Sequence, residues 1–185
     1  MCDWAGGDSL RIVVSIGGNL MGLKEDLERI ALQERELHLP RLDAQTAWEL
    51  GSRLRAMAAE RGLGVVIDVR RFGQPLFYAA MDGTTPDHVE WVRRKSNVVA
   101  RFHHSSYVAG LREKLKKQTL TESQGLSIAD YATHGGSFPL AVAGAGVVGS
   151  VTISGLPQRA DHELAIEALC AMLGRDYSEL KLAPE

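Results

Sequence analysis

With 185 residues, 45% of them hydrophobic and 24% charged, the chain can fill one well-buried domain and has the balance of a soluble globular protein. A formal net charge of −2 supplies no field that would gather nucleic acid or an anionic membrane, so neither partner is expected. The longest apolar run, FPLAVAGAGVVGSVTI, is cut by glycines well short of the roughly 20 residues of a membrane helix. Cys2 and Cys170 stand in no metal-type spacing, which argues for a reducing compartment. The opening MCDWAGGDSL lacks the charged and apolar regions of a secretion signal, so a cytoplasmic location is expected.

In chain order, residues 1–20 look unlike the rest: AGGDS reads as loop, LRIVVSI as a short strand, and GGN as its end. Helical spacing starts at Met21, with Leu23, Leu27, Ile30 and Leu37 on one face, up to Pro40. Residues 1–20 are therefore expected to be an extension that is not native, translation starting at Met21 and the domain proper covering 21–185. An intact mass that includes Met1 or Cys2 would refute that. Asp43 caps a second helix with Ala47, Leu50, Gly51, Leu54, Met57 and Ala58 inward, and Gly62 follows its end. VVIDV and LFYAAM, joined by RFGQP, form an antiparallel hairpin.

Thr85, Pro86 and Asp87 start a further helix whose inner stripe is Val89, Val92, Ser96 and Val99. Another begins at SSYVAGLREKLKK, with Val108, Leu111 and Leu115 inward, and TLTESQGLSIADYA reads as loop. The strands FPLAVA and VVGSVTISG flank a GAG turn, and in the second of them Val147, Gly149, Val151 and Ile153 alternate with Val148, Ser150, Thr152 and Ser154. A final helix carries Leu164, Ala165, Ala168, Leu169 and Met172 inward, with Gly174 after it. Without repeat or linker, this order gives a single α+β domain, an antiparallel sheet packed on by helices.

GAGVVG at 144–149 matches a dinucleotide-binding pattern in letters only. Its following segment has period two and β-branched residues, so the glycines belong to a hairpin and no helix end awaits a phosphate. The six histidines form no zinc-type set, although one of them could serve as the axial ligand of a bound iron. RRKSNVVARFHHSS gathers Arg93, Arg94, Lys95 and Arg101 before Ser105 and Ser106 at a helix start, a pattern that suits a carboxylate or phosphate. A solvated helix face with Ser105 as a plain cap explains the same residues. No nucleophile elbow and no carboxylate pair announces catalysis, and no catalytic residue is assigned. Asp161 and Glu163 suit a helix start electrostatically, and Asp68, inside an apolar strand, is either functional or on a wet sheet face. In ATHGGSFPL, the pair Gly135 and Gly136 is either a ligand-holding loop or a turn entering a strand, with His134 at its rim.

IDVRRFGQPLFYAAMDGTTPDHVEWVRRKSNVVARF, followed by SSY, HGGSFPLAV and GVVGSVTISGLPQRADHELAIEAL, resembles the uncharacterised protein family 0303 of the haem-degrading-domain superfamily, over about residues 21–173. Relatives in that superfamily include a haem-binding sensor protein, the glycolate-utilisation G protein and the C-terminal domain of some cobalamin adenosyltransferases. The resemblance implies an α/β/α sandwich of profilin-like arrangement, homo-oligomers from dimers upward, and haem as a candidate ligand. It implies no adenosyl transfer, because the nucleotide-binding part of such an enzyme has no counterpart here. Close relatives usually carry a glycine where this chain has His103, so that residue is expected to alter the pocket or add a ligand.

Two functions follow. In the first, a pocket between RFHHSS and THGGSF binds a small anionic ligand such as haem or another tetrapyrrole. Arg93, Arg94 and Arg101 would pair its carboxylates, with Ser105, Ser106, Gly135 and Gly136 around it and His103, His104 or His134 near a metal. In the second, the chain is a non-enzymatic oligomeric adaptor or scaffold with no small ligand.

Overall fold

A computed structural model describes residues 8–184, with side chains from residue 20 onward; Cys2 lies outside the described residues. Helix α1 spans Asp8–Glu36 and is followed by the two-residue strand β1, His38–Leu39. The strand expected over LRIVVSI is therefore corrected to helix. β-branched residues oppose a helix only weakly and a glycine costs about 1 kcal/mol, too little to stop one from propagating. Helix α2, Ala44–Glu60, has Asp43 as its cap, accepting from the Thr46 amide at 2.8 Å, and Gly62 beyond its end is left-handed at φ +63°.

Strands β2, Val66–Arg71, and β3, Gln74–Ala80, pair as the expected hairpin. Helix α3, Pro86–Phe102, starts from a Thr85 capping box in which His88 takes the usual Glu or Gln place. Helix α4, Ser106–Lys116, is capped by Ser105. A short helix, α5, Leu120–Gln124, interrupts the stretch read as loop, because Thr119 and Glu122 form a capping box there. Strands β4, Ser137–Val142, and β5, Gly146–Ser154, form the second hairpin. GAGVVG is accordingly a turn and a strand start, with no crossover helix. Helices α6, Gln158–Leu173, and α7, Tyr177–Leu180, close the chain.

The sheet order is β1-β4-β5-β2-β3, antiparallel throughout except where β1 runs parallel to β4. One face, with Ile67, Val69, Phe138, Leu140, Val151 and Ile153, joins Leu50 and Leu54 of α2 and Leu164 and Leu169 of α6 in the main core. Each such Leu or Ile contributes about 1.5–3 kcal/mol by leaving water. The other face lies under α3 and is polar: Asp68, Ser137, Ser150, Thr152 and Ser154 are all buried there. Asp68 is thus not on a wet face; it is fully buried and holds Arg70 by two hydrogen bonds, at 2.5 and 2.9 Å. Val89, expected inward, is 46% exposed, and Lys95 occupies the buried stripe of α3 instead. A smaller cluster of Ile30, Tyr107, Val108, Leu111 and Leu182 joins α1, α4 and the C-terminal segment.

Candidate functional site

Two parts of the chain converge beside the middle of α3. Residues 131–136 are tied to it by the Ala132 amide, which donates to the Arg94 carbonyl at 3.2 Å. This places the His134 ring edge-on to Trp91, centroids 5.0 Å apart at 77°. The Arg94 guanidinium lies over the same indole, 4.2 Å from its centroid, an arrangement that favours a cation over the electron-rich ring face. A cleft of about 360 Å³ opens here, with Trp91, Leu126, Ile128 and Tyr131 as apolar walls and Arg94 and His134 among its polar groups. Partial burial, and then the Lys95 and Arg94 cations, push the His134 imidazole below its ordinary pKa, so near neutral pH the ring is uncharged.

Across the Trp91–His134 pair lies a second cavity of about 250 Å³, more polar, bordered by His88, Lys95, Gln158 and Asp161. Lys95 is 3% exposed, its ammonium 2.8 Å from Asp161 Oδ2 and 3.1 Å from the Ile153 carbonyl. Asp161 Oδ1 accepts from the Leu156 amide at 2.9 Å. Burial pushes the Lys95 ammonium down and the Asp161 carboxyl up, while each partner opposes the other's shift. A lone buried charge would be far costlier, which is why the two residues are found as a pair.

The two glycines have separate reasons. A Cβ on Gly135 would stand 2.2 Å from the Gln158 carbonyl oxygen. Gly136 has φ +128°, and a Cβ there would be 2.3 Å from the Ile153 carbonyl oxygen and 2.9 Å from Lys95 Nζ. THGGSF is thus a turn into β4 and also the floor against which the Lys95–Asp161 pair is set.

The other expected site residues are dispersed. Arg93 is engaged within the chain, pairing with Glu90 at 2.9 Å and Asp130 at 3.1 Å and donating to the Ala129 carbonyl at 2.7 Å. Arg101 is exposed, with its guanidinium 5.9 Å from the ring centroids of Phe102 and Tyr131. His103 ends α3 in the left-handed conformation, φ +56°, and stacks on Phe72 at 6.0 Å. That position is about 18 Å along the helix from Trp91 at 1.5 Å per residue. A glycine there would serve as a helix terminator, so the substitution bears on the helix end and adds no ligand to the cleft.

His104 Nδ1 sits 2.7 Å from Glu34, and a second oxygen of Glu34 accepts from the Ser105 amide at 2.7 Å. The start of α4, read as an anion site, is therefore filled by a carboxylate from α1. Ser106 is buried and accepts from the Ser137 amide at 3.1 Å, joining α4 to β4. Of the ten residues, the structure brings Arg94 and His134 together at the cleft and sets Gly135 and Gly136 beside the second cavity. Trp91 and Tyr131 had no sequence signal, while Lys95 stood only in the cationic run of α3 and Asp161 only as a helix-start acid. What sets Lys95 apart from that run is its place on the buried stripe of α3.

Among the described residues no helix is long and apolar enough to cross a membrane. A family model described as "Haem degrading protein HbpS-like" matches residues 42–170. The UPF0303 protein of Burkholderia thailandensis is 61% identical over 163 residues, 88% of this chain and 99% of that protein. A UPF0303 protein of Acidobacterium capsulatum is 60% identical over 162 residues, 88% of this chain and 98% of its own length. The crystal structure of the Ybr137w protein superposes with TM-score 0.74 at 29% identity, over 80% of this chain and 87% of that one. The structure of a PduOC–haem complex gives TM-score 0.61 at 18% identity over 70% and 94% of the two chains, a likeness of fold. The family-model match and these relatives together show that the chain belongs to the HbpS-like haem-degrading protein family, within its UPF0303 group.

Proposed function

We propose that this chain binds a planar, carboxylate-bearing ligand, haem or another tetrapyrrole, in the cleft of Trp91, Arg94 and His134. The observation that carries this reading is the meeting of an uncharged imidazole, a guanidinium and aromatic walls in one cleft of about 360 Å³. An uncharged imidazole is the form that ligates iron, apolar walls suit a porphyrin face, and a guanidinium suits a propionate. The residues therefore fit the group. His134 would hold the iron and Arg94 a carboxylate, while Trp91 and Tyr131 would keep water from the ligand. Bound haem would supply an iron centre able to exchange electrons and take oxygen. The haem complex of the fold relative PduOC supports the choice of ligand.

The test is a haem titration followed at the Soret band. Wild type should saturate, His134→Ala should lose the spectral shift, and Arg94→Ala should weaken binding roughly tenfold, the worth of a charge-assisted hydrogen bond. His103→Ala and His104→Ala should titrate like wild type. Identical, non-saturating spectra in all five proteins would end the proposal.

A second reading, a cytoplasmic homo-oligomeric scaffold without ligand, is favoured by one observation. Strand β3 forms an open sheet edge beside the exposed Trp48, Phe72 and Tyr78. Light scattering of ligand-free protein should then show an assembly, and a monomer at micromolar concentration would exclude it.

A further inference from the structure

We propose that the second cavity is a carboxylate-binding site in its own right, where hydrogen-bond donors of Lys95, His88 and Gln158 hold one compact carboxylate group. The Thr85 backbone amide donates to His88 Nδ1 at 3.0 Å. A backbone amide can only donate, so Nδ1 is an acceptor and the neutral ring carries its proton on Nε2, the opposite edge. The Gly135 amide donates to Gln158 Oε1 at 3.3 Å, which fixes that oxygen and leaves the amide NH₂ as the outward end. Lys95 has three N–H donors, and its two partners, Asp161 and the Ile153 carbonyl, account for two of them.

Both carboxylate oxygens of Asp161 on the same wall, and one of Asp87, are already engaged. Asp161 Oδ1 takes the Leu156 amide and Oδ2 takes Lys95. Asp87 Oδ2 takes the Trp91 indole N–H at 2.9 Å. A cavity of about 250 Å³ is thus left with donors on three side chains, and it is floored by a buried cation. A group of two oxygens with no proton to give is its complement. That group arrives either as a free small acid or as the side arm of a larger ligand lodged across the Trp91–His134 pair.

The experiment titrates the full chain with sodium benzoate and follows the indole N–H resonance of Trp91. Trp48, on α2 against the opposite face of the sheet, is the internal reference, and benzyl alcohol is the neutral control of matching shape. Benzoate should move the Trp91 signal saturably, and benzyl alcohol at equal ionic strength should not. Lys95→Met should abolish binding, but it strands Asp161 and can unfold the chain. Two gentler variants therefore decide the matter. His88→Glu keeps an acceptor for the Thr85 amide, as Glu does in an ordinary capping box, and Gln158→Glu keeps one for Gly135. Each replaces a donor by an anion, and each should weaken benzoate roughly tenfold or more at an unchanged melting temperature.

Variants that bind like wild type, or a control alcohol that shifts Trp91 equally, would overturn the proposal. Repeating the titration with haem present separates the two sources. Competition assigns the carboxylate to the side arm of the cleft ligand, and simultaneous binding assigns it to a free acid; both outcomes support the site. Because benzoate is titrated without haem, a chain that binds benzoate but fails the Soret test would disprove the tetrapyrrole reading alone.

Discussion

The two faces of the sheet are built on opposite principles. Under α2 and α6, Leu50, Leu54, Ile67, Phe138, Ile153 and Leu169 meet side chain against side chain, and the face stabilises by excluding water. Under α3, Asp68, Lys95, Ser137, Thr152, Ser154 and Asp161 are just as buried but are held by directed bonds, such as the 2.9 Å contact between the Ser137 and Thr152 hydroxyls. A buried polar layer adds little net stability, since desolvation offsets most of its attraction. It fixes geometry instead, and both candidate cavities border α3. The apolar face holds the molecule together, and the polar face positions the groups that meet a ligand.

The strongest challenge to that contrast is Lys95→Met, expected to cost about 3–5 kcal/mol because Asp161 is left buried and unpaired. Lys95→Met combined with Asp161→Asn should recover most of this loss in urea unfolding. Equal losses in the single and double variants would show that the pair is not the coupled unit described here. On the other face, Leu54→Ala should cost about 2–5 kcal/mol with no second change able to restore it.

A pH series sharpens the comparison further, because the apolar side hides one polar exception. His162 is fully buried between Tyr107 and Phe138, with Nε2 2.8 Å from Gln33 Oε1. Burial, and then the Arg159 cation, hold its pKa down to about 3 from an ordinary 6.5. The unfolded chain therefore takes up this proton first as the solution is acidified. The contribution of neutral His162 is present in full above pH 6.5 and is lost as pH falls from there toward 3. The slope should be about 1.4 kcal/mol per pH unit between pH 6 and 4, and His162→Gln should flatten it by that amount. The smallest effect belongs to the surface. Arg93→Ala removes exposed ion pairs to Glu90 and Asp130 and should change stability by no more than about 1 kcal/mol by thermal melting.

The elements that could be read in advance are those whose causes are local. Asp43, Thr85 with Pro86, and Ser105 start helices because a capping oxygen or a ring-fixed φ acts on the next turn, and Gly174 ends one in a left-handed conformation. The period-two pattern after GAG identified a hairpin where the glycine letters suggested a nucleotide fold. Strand β1 escaped because two residues carry no period, and only β4 beside them makes them a strand. Val89 looked apolar enough to be inward, yet α3 turns Lys95 inward instead, where the Ile153 carbonyl of β5 and Asp161 of α6 receive its ammonium.

The site divides in the same way. Arg94, His134, Gly135 and Gly136 were visible as types, while Trp91, Lys95 and Asp161 became meaningful only through what they face. The amino-acid order by itself determined the family, through the resemblance of its long motifs, and the α+β class, the helix caps and the two hairpins, since each of these last three depends on neighbours within a few residues or on a repeating pattern. Tertiary structure alone decided that Lys95 reaches Asp161, that Glu34 fills the start of α4, and which arginines remain beside a cleft. Those outcomes join groups separated by up to 71 positions along the chain, and no local periodicity encodes which distant partner a charge will find.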